Sequence, residues 1–79
     1  MIGLEPVAGT LNVGVVGLGY WGPNLVRAIA EMPSARLSWL CDLDEQLLGT
    51  FAVRYPGTRR TTDVQQLLDD PELDAVLIA

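Results

Sequence analysis

The chain has 79 residues, 49% of them hydrophobic and 19% charged, and ten acids against five basic residues leave a net charge of −5. The five bases are all arginine and the acids are spread out, which excludes the basic stripe a nucleic-acid partner needs, and no apolar run approaches the roughly 18 residues of a membrane span. Most domains have roughly 100 to 150 residues, so one incomplete domain is expected.

Met1 to Thr10 mixes Gly, Pro and single apolar residues without a period, and residues 1–10 are expected to be a flexible lead. This start has neither the positive n-region nor the apolar h-region of a secretory signal, so a cytoplasmic location is expected. Leu11 to Val16 is a nearly continuous apolar run, the pattern of a parallel strand buried on both faces.

Directly after it stand Gly17-Leu18-Gly19-Tyr20-Trp21-Gly22, three glycines at G-x-G-x-x-G spacing. Gly17 permits a tight turn off the strand. Gly19, without a Cβ, lets backbone approach a pyrophosphate, and Gly22 lets the next helix pack close to the strand it left. A helix opening near Gly22 and Pro23 would offer unpaired N–H groups and a partial positive charge to a diphosphate. Glycine-rich turns also arise in other contexts, so the surroundings decide. The pattern needs a strand before it, a helix after it, a βαβ unit, and an acid about 20 residues on for a ribose hydroxyl. Asp42, directly after the second apolar run Leu37 to Cys41, meets the last condition.

Between the two runs, Leu25, Ala28, Ile29 and Met32 recur at helical spacing, and Pro33-Ser34 stops the helix. After Asp42, Asp44 can cap a helix whose buried stripe is Leu47, Leu48, Phe51 and Tyr55, weakened by Gly49 and stopped by Pro56-Gly57. Thr58 to Thr61 is a candidate short strand. Thr62-Asp63-Val64-Gln65 fits a capping box that opens a short helix through Leu67 and Leu68. Asp69-Asp70 and Glu72-Asp74 read as a solvated connector, and Ala75 to Ala79 as a fourth strand.

The order β-α-β-α-β-α-β predicts an incomplete doubly wound parallel sheet, a Rossmann dinucleotide-binding fold over residues 11–79 with strand order 3-2-1-4. An apolar edge is then left open at the fourth strand, so marginal stability or self-association of the chain is expected. The lone Cys41 allows no internal disulfide and no multi-cysteine metal site, and reads as a small buried hydrophobe. A carboxylate at the end of the second strand accepts from ribose hydroxyls and repels a 2′-phosphate, so NAD is favoured over NADP. Arg54, Arg59 and Arg60 are the candidates for reversing that preference. A methyltransferase would also place glycines after its first strand, but the spacing of all three glycines and Pro23 fit a dinucleotide better.

The stretch NVGVVGLGYWGPNLVRAIAEMPSARLSWLCDLD, followed by RYPGTRRTTDVQQLLDDPELDAVLIA, resembles the N-terminus of the Gfo/Idh/MocA oxidoreductases. The likeness runs from about Asn12 to Ala79 and looks greatest to the branch acting on sugar nucleotides, UDP-N-acetylglucosamine 3-dehydrogenases and related aminosugar-uronate dehydrogenases. The resemblance implies an NAD(P)-dependent dehydrogenase with a further C-terminal domain that binds a sugar and mediates homo-oligomers. Carried over, Gly17, Gly19 and Gly22 match the dinucleotide glycines, Tyr20 and Trp21 the positions whose N–H groups face the pyrophosphate, and Asp42 the ribose acid. Ala79 would lie near the cofactor. The rings of Tyr20 and Trp21 can equally pack over the sheet edge or a neighbouring domain. The family continues with a Thr-Pro pair, a Glu-Lys-Pro motif and a catalytic histidine or equivalent. None of these is in the chain, which has no Lys or His, so it is expected to bind nucleotide without catalysing. A non-catalytic NAD(H)-sensing module is the alternative the residues leave open.

Overall fold

The structure, a computed structural model, describes residues 10–79. The expected lead, residues 1–10, thus lies outside the described residues except for Thr10. Among the described residues four strands and three helices alternate: β1 Leu11–Val16, α1 Gly22–Glu31, β2 Ala35–Cys41, α2 Glu45–Arg54, β3 Arg59–Thr61, α3 Val64–Leu68 and β4 Ala75–Ile78. All three strand pairings are parallel and the order is β3-β2-β1-β4, as the βα alternation predicts. Among the described residues no helix is long and apolar enough to cross a membrane.

Each face of the sheet buries a different set of side chains. Val13 and Val15 of β1 and Leu37 and Leu40 of β2 pack with Val26 and Ile29 of α1 and Leu48 and Phe51 of α2. On the opposite face Trp39 and Cys41 pack with Leu67 of α3, supported by Val16, Leu73 and Val76. Strict alternation would put Leu37 and Trp39 on one face. The register slips between Val13 and Gly14, which pair with Leu37 and Trp39, so Ser38 is an extra residue in β2. That bulge sends Leu37 to the α1/α2 side and Trp39 to the α3 side.

Several local expectations are corrected. The buried stripe of α1 is Gly22, Val26 and Ile29, with Leu25 half-buried, whereas Ala28 and Met32 are exposed. Helical spacing fits either register, and the side facing β1 and β2 selects Val26. β2 starts two residues early because Ala35 and Arg36 pair with Leu11 and Asn12. The cap of α3 is Asp63, whose carboxylate accepts from Gln65 N–H at 3.0 Å, not Thr62. Thr61 accepts from Asp63 N–H and donates to Gln66 Oε1, so the hydroxyl-and-glutamine pairing exists one position away from the expected box.

The acids before β4 are not a merely solvated connector either. Asp74 accepts from Asn12 N–H at 2.7 Å, and Asp70 accepts from Trp39 Nε1–H at 2.8 Å and from Glu72 N–H at 2.9 Å. Together with Asn12 Nδ2–H donating to the Glu72 carbonyl, these bonds tie β4 to β1 and α3 to β2.

Candidate functional site

The parallel pairing brings the carboxyl ends of β1, β2 and β4 to one rim. Val16 pairs with Cys41 on one side and Ile78 on the other, so the residues that follow, Gly17, Asp42 and Ala79, meet there. The chain continues from β1 to β2 on one side, and β4 lies on the other. Such a reversal of strand order opens a crevice in doubly wound sheets.

Gly17 has φ +94°, the one positive φ among the described residues, and a Cβ there would lie 3.1 Å from the Ala79 carbonyl oxygen. The sharp turn therefore needs glycine for its backbone and for the approach of β4. Gly22 is constrained differently: a Cβ would stand 2.5 Å from the Gly17 carbonyl oxygen, inside contact distance. The crowding at Gly22 thus comes from the turn itself as well as from the helix packing on its strand. Gly19 has nothing within 4 Å of a would-be Cβ, so no protein atom requires glycine there.

Between these glycines, Leu18 is fully buried and anchors the turn in the core, while Tyr20 and Trp21 are 86% and 61% exposed. Their rings meet edge to face at 5.0 Å and rest on no buried cluster. Trp21 occupies the cap position of α1 without a side-chain cap, its carbonyl accepting from Leu25 N–H. The N–H groups of Gly19, Tyr20, Trp21 and Gly22 have no hydrogen-bond partner among the described residues. Four backbone donors are thus left open at a helix start, the arrangement that binds anions.

Asp42 stands across from that turn. Its Oδ2 accepts from Leu18 N–H at 2.7 Å and its Oδ1 from Asp44 N–H at 2.8 Å. The next acid, Asp44, is committed elsewhere: it caps α2 by accepting from Gln46 and Leu47 N–H. Beside Asp42 lies a mainly apolar cleft of about 330 Å³ lined by Val16, Gly17, Cys41, Leu43, Thr62 and Val64. Leu43 reaches the cleft as the neighbour of Asp42, whereas Thr62 and Val64 reach it only because the tertiary fold brings the end of β3 and the start of α3 to the rim. No arginine lines this cleft. Arg59 lies over the Trp39 ring and pairs with Asp70, Arg60 lines a separate hollow on the α2 side of β3, and Arg54 ends α2. The thiol of Cys41 is pushed up by burial first, then by the charges of Asp42 and Asp63, which disfavours the thiolate.

Residues 11–79 match the model of the Gfo/Idh/MocA family, an oxidoreductase family with an NAD-binding Rossmann fold. The chain belongs to this family. What it comprises is the NAD-binding Rossmann portion. An inositol 2-dehydrogenase of Saccharopolyspora erythraea is 37% identical over 71 residues, a match that covers 89% of this chain and 21% of that protein. The solved structure of GenD2 from gentamicin A biosynthesis, in complex with NAD, is 33% identical with a TM-score of 0.81, over 89% of this chain and 20% of that one. A levoglucosan dehydrogenase, in complex with NADH and L-sorbose, is 28% identical with a TM-score of 0.76, over 89% and 21% of the two chains. The chain therefore spans about a fifth of the length of these relatives.

Proposed function

We propose that this chain supplies the cofactor site of an NAD-dependent dehydrogenase of a cyclic polyol or sugar. The finer assignment to sugar nucleotides rests on the likeness of the GLGYWGPN and DPELDAVLIA stretches to that branch. The observation that carries the reading is a glycine turn with open amides from Gly19 to Gly22, tied through Leu18 N–H to the Asp42 carboxylate that lines the apolar cleft.

Those groups fit a dinucleotide. The open N–H groups and the bare Cα of Gly19 suit the diphosphate, the free lone pairs of Asp42 suit the adenosine ribose hydroxyls, and Leu43, Thr62 and Val64 suit the flat adenine. The turn at Gly17 would carry the nicotinamide half toward Ala79 at the end of β4. When bound, the nicotinamide supplies the hydride acceptor or donor. Asp42 without an arginine beside it selects NAD over NADP, since a 2′-phosphate would meet a carboxylate and no counter-charge.

With no lysine or histidine, these residues position cofactor and leave proton transfer to groups elsewhere in such a protein. The same lack is what favours the second reading, an NAD(H)-sensing unit, and the two separate on turnover by the whole protein.

Titration with NAD⁺ and NADP⁺ tests the reading through tryptophan emission. Trp21, at the site and exposed, is expected to respond, while Trp39, buried and bonded to Asp70, reports only unfolding. Saturable quenching by NAD⁺ at concentrations where NADP⁺ has no effect supports it, and equal or absent responses to both overturn it.

A further inference from the structure

The carboxylate of Asp42 is engaged before any ribose arrives. Each of its oxygens accepts a backbone N–H, one from Leu18 inside the glycine turn and one from Asp44 at the entry to α2. The first bond joins residues 24 apart in sequence, and at 2.7 Å it is a short, charge-assisted one. Gly17 N–H donates to the Cys41 carbonyl at 2.8 Å, so two consecutive donors of the turn are held by two consecutive residues of the β2 end.

The turn has little else to hold it. Its apolar anchor is the buried Leu18 side chain, whereas Gly19, Tyr20 and Trp21 are exposed and their N–H groups are unpartnered. The peptide plane between Gly17 and Leu18 carries the Leu18 N–H and sits at the positive-φ residue, where glycine resists rotation least. Fixing that N–H fixes the plane from which the open amides follow.

We propose that Asp42 is a positioning residue for the glycine turn: by holding Leu18 N–H it sets the anion-binding amides of Gly19 to Gly22, independently of its contact with ribose. Each oxygen keeps a lone pair for a ribose hydroxyl, so the two roles coexist in one side chain. Replacing Asp42 to change cofactor preference then loosens diphosphate binding as well. Asparagine is the sharp probe, because its amide NH₂ must face the N–H of Leu18 or of Asp44, donor against donor.

Three measurements on the chain separate this role from the ribose contact, and only the last rests on the cofactor reading above. In the absence of ligand, hydrogen exchange at the Leu18 amide is expected to be slow in the wild type and about tenfold or more faster in Asp42→Asn, with Val26 in α1 unchanged. A trans-hydrogen-bond coupling between the Leu18 nitrogen and the Asp42 carboxyl carbon is expected in the wild-type chain itself, so the proposal does not depend on the variant folding. Affinity is then compared for NAD⁺ and for an NAD⁺ analogue whose adenosine ribose lacks both hydroxyls. Asp42→Asn is expected to weaken both ligands by about tenfold, because the amides are misplaced for either. Full affinity of the variant for the dideoxy analogue, or unprotected Leu18 exchange and no coupling in the wild type, would show that Asp42 acts through the ribose alone. Failure of the wild-type chain to bind either ligand counts against the cofactor reading, and the exchange and coupling results still decide the positioning role.

Discussion

The three glycines of the turn share a motif but not a physical cause, and alanine substitutions should separate them. Gly17→Ala forces a positive φ on a residue with a Cβ and crowds the Ala79 carbonyl, and Gly22→Ala drives a methyl into the Gly17 carbonyl. Each is expected to destabilise the chain by about 1–3 kcal/mol in urea unfolding. Gly19→Ala meets nothing, so its unfolding midpoint should stay close to that of the wild type while NAD⁺ affinity falls. Loss of stability at Gly19 would place the constraint in the fold rather than the ligand.

Two titrating residues give the stability curve opposite limbs. The Trp39 indole N–H first, then the Glu72 N–H and Arg59, hold the Asp70 carboxyl below its usual range, so the unfolded state binds its proton more readily. Stability from Asp70 is therefore complete above the unfolded value near ~3.9 and lost as pH falls through the folded one. Asp70→Asn should flatten that acid limb in urea titrations between about pH 5 and pH 2. Cys41 is shifted upward, so the unfolded thiol releases its proton first and stability falls as pH rises past ~8.5. In Cys41→Ala the alkaline decline should lessen.

At the scale of elements, α2 carries both a device and a defect. Asp44 accepts from two N–H groups at its start, and Asp44→Ala is expected to cost about 1 kcal/mol. Gly49 lies mid-helix, exposed, with nothing within 4 Å of a would-be Cβ. Gly49→Ala should therefore stabilise the chain by roughly 0.5–1 kcal/mol, read as a raised midpoint in thermal unfolding followed by circular dichroism. A lowered midpoint would mean that the open space is needed, for instance by the hollow between Gly49 and Arg60. The same scale shows why β2 works: the extra residue at Ser38 lets one short strand bury Leu37 on one side and Trp39 on the other.

Over the whole molecule the sheet is asymmetric. Among the described residues, β1 and β2 are covered by α1 and α2, while the opposite face has only the five-residue α3, and β4 pairs with β1 alone. Ile78 on that edge is 79% exposed. An unpaired parallel edge with an apolar end recruits another strand. The chain alone is expected to show concentration-dependent sedimentation, reduced by Ile78→Lys. A monomer across the concentration range with a sharp, reversible unfolding transition would contradict this.

The sequence by itself determined the element order, the parallel sheet with order 3-2-1-4, the turn at Gly17 and the cap by Asp44. Each of these follows from local rules, namely residue periodicity, glycine's backbone freedom and side chains reaching their own neighbours. Only the tertiary structure decided which face of α1 is buried, the bulge at Ser38, and the use of Asp70 and Asp74 as ties to Trp39 and Asn12. It alone also brought Leu18 to Asp42, and Thr62 and Val64 to the cleft that Asp42 lines. These pairings join residues far apart in sequence, and their partners are fixed by how strands and helices stack, which no local spacing encodes.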